Sequence, residues 1–234
     1  MTDFSAALLA AVSLLLHGDH ALTEIVMLSL RVSLTAVFLA TLIGMPLGAA
    51  TALYRFPGRN ALVVLLNALM GLPPVVVGLI VYLTLSRLGP LGVFGLLFTP
   101  TAMIIAQSIL IVPIIAALSR QVVEDLWYEY EEQLRSFGAS LKRSMLTLLW
   151  DGRFSLLTAV LAGFGRASAE VGAVMIVGGN IDHVTRMMTT AIALEVSKGD
   201  LALALGLGII LITLSLVING AAFILKNMAE RRHA

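Results

Sequence analysis

Residues 101–138 read TAMIIAQSILIVPIIAALSRQVVEDLWYEYEEQLRSFG, and the change of character at Arg120 decides the fold class. The stretch 101–119 holds no charged residue. As a helix it covers about 28 Å, close to the roughly 30 Å of a bilayer's hydrocarbon core. Directly after it come Arg120, Glu124, Asp125, Glu129, Glu131, Glu132 and Arg135. An apolar segment of membrane length that runs into a densely charged one marks a membrane boundary. The whole chain supports that reading: it is 59% hydrophobic and 12% charged, against about 25% charged in a soluble domain. Most of its residues have no aqueous surface to cover. An all-α integral membrane protein is expected.

Working outward, four more stretches are long enough to cross: about 25–53, 61–86, 154–178 and 202–225. With 101–119 they predict about five transmembrane helices within a membrane domain over 25–225. The earlier apolar run Phe4–Leu16 has 13 residues, about 20 Å as a helix, and is too short to span. Phe4, Leu8, Leu9, Val12 and Leu16 recur at helical spacing. Residues 1–24 are therefore expected to form an extracytoplasmic amphipathic helix lying in the interface.

Charge sets the expected orientation. Arg55, Arg59, Arg120, Arg135, Lys142, Arg143, Arg153, Lys226, Arg231 and Arg232 fall on one side of this arrangement, and Arg87, Arg186 and Lys198 on the other. The positive-inside rule then places the N-terminus outside and the tail 226–234 in the cytoplasm of a cell with the chain in its inner membrane. An odd number of spans fits this charge bias and an even number does not.

The connection 120–153 holds 11 of the 29 charged residues. Helix connections in bundles usually need about 2–8 residues. Leu126, Tyr130, Leu134, Phe137 and Leu141 keep helical spacing, which predicts two short amphipathic helices with Gly138 between them. Such a pair either presents a face to a cytoplasmic partner or folds back on the membrane as a solvated loop.

Within the spans, Gly44-Met45-Pro46-Leu47-Gly48, Gly71-Leu72-Pro73-Pro74 and Pro113 interrupt the apolar runs. Close packing through small residues explains such sequences, and so does a broken helix lining a substrate path. Pro73 and Pro74 are candidates for the second role, because two consecutive prolines at mid-membrane are costly unless they shape a cavity. Arg166 and Glu170 fall in the fourth expected span, one turn apart, and can pair with each other. They fix that span against a neighbour or serve as a gate on the path. Arg31, near the outer end of the first span, either snorkels to the interface or offers positive potential to an anion in an outward cavity. In the outer loop 180–200, Asp182, Arg186, Glu195, Lys198 and Asp200 surround an apolar stripe of Met187, Ala191 and Leu194, a candidate docking surface.

Several functions are disfavoured. There is no cysteine, and His17, His20, His183 and His233 lie outside the apolar runs, so no metal site and no catalytic residue is expected. The absence of G-x-x-x-x-G-K-[ST] means ATP is not held here through a P-loop. A self-sufficient secondary transporter would need more intramembrane acids than Glu170. An intramembrane enzyme would need aspartate or histidine at depth. Nothing points to nucleic acid.

Glu132-Gln133-Leu134-x-x-x-Gly138 resembles the EAA loop of the membrane subunits of ABC importers, with Gln133 and Leu134 replacing two alanines. Trp150-Asp151 stands where the family usually has Leu-Pro. Gly71-Leu72-Pro73-Pro74-Val75-Val76-Val77-Gly78-Leu79 and Gly163-Phe164-Gly165-Arg166-Ala167-Ser168-Ala169-Glu170-Val171-Gly172-Ala173 are similar to the molybdate- and tungstate-type permeases. Thr185–Glu195 and Lys198-Gly199-Asp200 are similar to the tungstate branch. The resemblance covers about residues 22–220. It implies a type I ABC-importer permease for an oxyanion, tungstate first and molybdate or sulfate as alternatives. It further implies a homodimer, two cytoplasmic ATPase subunits that carry the ATP and Mg, and an extracytoplasmic binding protein. Glu132, Gln133, Leu134 and Gly138 become the expected ATPase-coupling residues.

Overall fold

In the computed structural model, which describes residues 20–231, the chain forms nine α-helices and one 3₁₀ turn. They are α1 (His20–Leu53), α2 (Arg59–Leu69), α3 (Pro74–Leu85), the 3₁₀ turn Gly92–Phe94, α4 (Pro100–Ser136), α5 (Leu141–Asp151), α6 (Arg153–Ser168), α7 (Gly172–Gly178), α8 (Met188–Lys198) and α9 (Leu201–Arg231). There is no strand among the described residues.

Among the described residues three helices are long and apolar enough to cross a membrane: Leu22–Leu53, Pro100–Ser136 and Leu201–Ile224. Two bent pairs, α2 with α3 and α5 with α6, raise the number to five if each counts as one span. The expected interfacial helix lies mostly at residues 1–19, outside the described residues. Its last part, 20–24, is corrected, since these residues belong to α1. Within the expected tail, residues 226–231 form the end of α9.

The expected second span, 61–86, is two half-helices of about 16–18 Å each. Pro73 has no N–H to continue the hydrogen-bond ladder and adopts φ −64°, ψ 121°, an extended conformation. Pro74 then opens α3 at its first position, where a missing N–H costs nothing. The expected fourth span, 154–178, is likewise divided, with a break at residues 169–171 between α6 and α7.

The largest correction concerns 120–153. Its first half is not a short separate helix. It is the continuation of α4, whose 37 residues reach about 55 Å. Neither Pro113 nor the change of composition at Arg120 stops it. Ion pairs at i,i+4 support the extension, Arg120 with Glu124 and Glu131 with Arg135. Gly138, at φ 66°, then turns the chain, and Ser140 caps α5 by accepting from the Arg143 N–H. At Gly152 the chain bends by 74° from α5 into α6. Arg153 secures that corner, donating to the Trp150 carbonyl at 2.8 Å and lying over the Trp150 and Phe154 rings.

The helices gather into two compact units. One contains the start of α1 to Thr35, residues 73–107 and residues 167–220. Its apolar centre includes Leu22, Met188, Ala191 and Leu207, and α3 packs on α7. The other contains residues 36–72, 108–166 and 221–231. Ala49, Ala52, Leu53, Val123 and Leu148 form a core within it. The apolar window of α4 is 61% buried, against 17% for α9. Ile212, Leu216, Val217, Phe223 and Ile224 on α9 are exposed, as suits a lipid-facing surface.

Candidate functional site

The charged end of α4 is tied to the α1–α2 turn. The Arg59 guanidinium donates to the Thr51 carbonyl at 2.6 Å, satisfying one of the carbonyls left open at the end of α1. A second nitrogen reaches Glu124 at 3.0 Å, and Arg120 binds the other oxygen of the same carboxylate. Close backbone contact makes this possible. A Cβ on Gly48 would stand 2.3 Å from the Ala116 carbonyl oxygen and 2.9 Å from the Arg120 nitrogen. The sequence motif Gly44–Gly48 is thus a packing surface at this depth. Sequence reasoning missed Arg59 and Glu124 as partners, because no local spacing connects them.

The four expected coupling residues occupy the end of this rod. Glu132 and Gln133 are exposed, and among the described residues Glu132 makes no ion pair. Leu134 points the other way, half-buried against the Ala49–Leu148 core. Gly138 stands in open space: nothing lies within 4 Å of a Cβ built on it. Its positive φ is what demands glycine. Around these positions Tyr128, Phe137, Leu146 and Trp150 are exposed at 92%, 84%, 58% and 72%. Large apolar side chains so exposed beside charged ones, beyond the apolar stretch of α4, form a surface suited to a protein partner.

The residues expected on the path lie on different elements: Arg31 on α1, Pro73 and Pro74 at the start of α3, and Arg166 and Glu170 on either side of the end of α6. Pro73 is exposed and Pro74 half-buried at the start of α3. Farther along α3, Gly78 meets α7 so closely that a Cβ would lie 2.8 Å from the Ala173 Cα. Arg166 and Glu170 are not one turn apart on a common helix as expected. Arg166 lies in the last turn of α6, and Glu170 lies beyond the end of α6, buried, with only 2% of its surface accessible. The Glu170 carboxylate accepts from the Ala173 N–H at 2.9 Å, an otherwise open donor in the first turn of α7. Thr189 donates to the Glu170 carbonyl at 2.8 Å, and the fully buried Gln107 donates to the Ala167 carbonyl at 3.2 Å. The break between α6 and α7 is therefore wired by side chains, the condition for non-helical backbone at membrane depth. Nothing in the sequence singled out Gln107 or Thr189 for this task.

Arg31 lines a cavity of about 310 Å³ together with Glu24, Leu28, Asp182, His183 and Arg186. The loop 179–187 reaches α1 here. His183 Nδ1 meets Glu24 at 2.6 Å, and Arg186 donates to Asp182 at 2.8 Å. The Ser29 hydroxyl accepts from the Met188 N–H at 2.8 Å. The hydrogen bond to Glu24, then the charges of Asp182 and Glu24, push the His183 imidazole above its ordinary value. His183 was set aside in the sequence because it lay outside the apolar runs. Its partner is 159 positions away.

Residues 44–231 match the family described as binding-protein-dependent transport system inner membrane component. A probable anion ABC transporter permease protein of Haloferax volcanii is 41% identical over 88% of this chain and 93% of its own length. A tungstate uptake system permease protein of Peptoclostridium acidaminophilum is 39% identical over 93% of this chain and 95% of its own. Its counterpart in Campylobacter jejuni is 38% identical over 89% and 87%. A sulfate transport system permease protein of Synechocystis sp. is more distant, at 28%.

Proposed function

Because the chain belongs to the family of binding-protein-dependent transport system inner membrane components and is an ABC transporter permease, we propose that it is the membrane-spanning subunit of an ATP-driven tungstate importer. The observation that carries this reading is similarity at 38–39% identity, over nine-tenths of the chain, to proteins named for tungstate uptake. In this reading two copies of the chain form the pathway, two separate ATPase subunits bind ATP and Mg, and an extracytoplasmic binding protein delivers the anion. The N-terminus is outside and the C-terminus in the cytoplasm, supported by the excess of arginine and lysine around Arg55–Arg59, Arg120–Arg153 and Lys226–Arg232. The exposed end of α4, with Glu132, Gln133 and the turn at Gly138, is the ATPase-facing surface. Leu134 supports it from behind. Pro73, Pro74, Arg166 and Glu170 belong to the two broken segments, where backbone irregularity suits a path or gate.

Reconstitution with the partner ATPase and binding protein tests this. Tungstate accumulation is expected only with ATP and with the ATPase present. Uptake driven by an ion gradient without the ATPase would overturn the importer reading. Calorimetric titration of the binding protein with tungstate, molybdate and sulfate tests the substrate separately. A preference for sulfate would overturn the choice of anion and leave the importer standing.

A further inference from the structure

We propose that the cavity between the start of α1 and the loop 179–187 binds a compact tetrahedral dianion on the permease itself, with Arg31 and Arg186 as its two guanidinium donors. The proposal rests on the oxyanion reading above and gives that substrate class a landing place in the membrane subunit.

Four observations carry it. First, the cavity's volume of about 310 Å³ lies at the small end of the roughly 300–1,000 Å³ of ligand pockets and suits a small ion. Second, Arg31 lines it and, among the described residues, makes no ion pair or side-chain hydrogen bond. Third, Arg186 lines the same cavity, and among the described residues only its Nη1 is engaged, by Asp182 at 2.8 Å. A guanidinium with one nitrogen paired keeps further N–H donors to offer an oxyanion. Fourth, the two carboxylates in the cavity are already occupied. Glu24 is held by His183 at 2.6 Å and by His20 at 3.3 Å, and Asp182 by Arg186 at 2.8 Å. Arg31 is the guanidinium in the cavity that has no carboxylate partner among the described residues.

The loop is also built to hold its shape. Asn180 and His183 sit at φ 51° and 55°, in the left-handed region that non-glycine residues seldom enter. Thr185 bridges the loop, donating to the Gly178 carbonyl at 2.6 Å and accepting from the Ile181 N–H at 2.9 Å. Arg186 is thereby presented in a fixed position before any ligand arrives, which lowers the ordering cost of binding. Guanidinium suits the task because its planar fork can give two hydrogen bonds to adjacent oxygens of one anion.

The test uses the full-length chain in phosphatidylcholine nanodiscs, without binding protein or ATPase. Equilibrium dialysis against sodium tungstate at constant ionic strength would measure the anion bound, with sulfate and chloride as competitors. Saturable tungstate binding is expected, displaced by sulfate and not by chloride. Arg31→Gln should weaken it about tenfold, and Arg31→Lys by less. Arg31 is exposed and unpaired, so these variants should keep the fold, which a thermal melt checks. Absence of saturable dianion binding, or equal binding by wild type and Arg31→Gln, would overturn the proposal. If that happened while the assembled transporter still accumulated tungstate, only the cavity would be lost. Binding of sulfate with exclusion of tungstate would support the cavity and overturn the tungstate reading.

Discussion

The Arg59 guanidinium meets the Glu124 carboxylate at 3.0 Å although 65 positions separate them, and the same arginine reaches the Thr51 carbonyl. One side chain thus joins the end of α1, the start of α2 and the charged extension of α4. Glu124 carries two arginines, so removing it takes the carboxylate from Arg120 and leaves Arg59 only its backbone carbonyl partners. Glu124→Ala should destabilise the membrane domain by about 1–3 kcal/mol, the cost of leaving half-buried charged donors without their carboxylate. Glu124→Gln should cost less, because the amide oxygen still accepts. Thermal unfolding in detergent checks the order wild type, Gln, Ala. Equal melting of all three would mean that the pair is screened like an ordinary surface bridge.

Gly138 makes the next prediction. Its φ of 66° and the empty space around it separate conformational cost from steric clash. Gly138→Val should cost about 1–2 kcal/mol locally through the left-handed backbone, and Gly138→Asn a fraction of that. A side chain at 138 would enter open space, so Gly138→Val should lower ATP-coupled uptake far more than the amount of folded protein. Transport and ATPase rates measured together in the assembled complex test it. A proportionate fall in folded protein and transport would leave Gly138 with a folding role alone.

These two sites show how legibility varied along the chain. The membrane class and the helical periodicity of 120–135 followed from hydropathy and spacing, since both are local properties. The continuity of α4 was hidden because composition changes at Arg120 while backbone geometry does not. Proline was ambiguous for a similar reason. Pro46 and Pro113 sit inside unbroken helices, while Pro73-Pro74 end one helix and start another. A single missing N–H is absorbed within a long helix. Two in succession after Gly71 and Leu72 leave no donor at two adjacent positions. The pairs Arg59–Glu124 and His183–Glu24 depend on tertiary approach and left no signature in the sequence.

Packing of α3 on α7 yields a steric prediction. A Cβ at Gly78 would lie 2.8 Å from the Ala173 Cα and 3.2 Å from its carbonyl oxygen, and backbone cannot yield as a flexible side chain does. Gly78→Ala should cost about 1–3 kcal/mol, and Gly78→Leu should exceed this range. Ile176→Gly, which removes the one side-chain atom near that Cβ, at 3.3 Å, should relieve a small part of the cost of Gly78→Ala. A double-mutant cycle on melting temperature measures the coupling. Strictly additive effects would show that the two helices do not constrain each other at this contact.

His183 supplies the pH dependence. Its folded-state value is raised above the ordinary 6.5, chiefly by the hydrogen bond to Glu24. Asp182 adds to the rise, Arg186 opposes it, and His20 shares the Glu24 carboxylate from the α1 side. A raised value means that the folded protein holds the proton more tightly than the unfolded chain. The stabilisation is therefore complete below about pH 6.5, and is lost as pH rises through the folded-state value. Melting temperature should decline over that window in the wild type, and the decline should be smaller in His183→Gln. NMR titration of the imidazole in the full-length chain locates the midpoint directly. A midpoint at or below the ordinary histidine value would sever the link between Glu24 and the loop that carries Arg186.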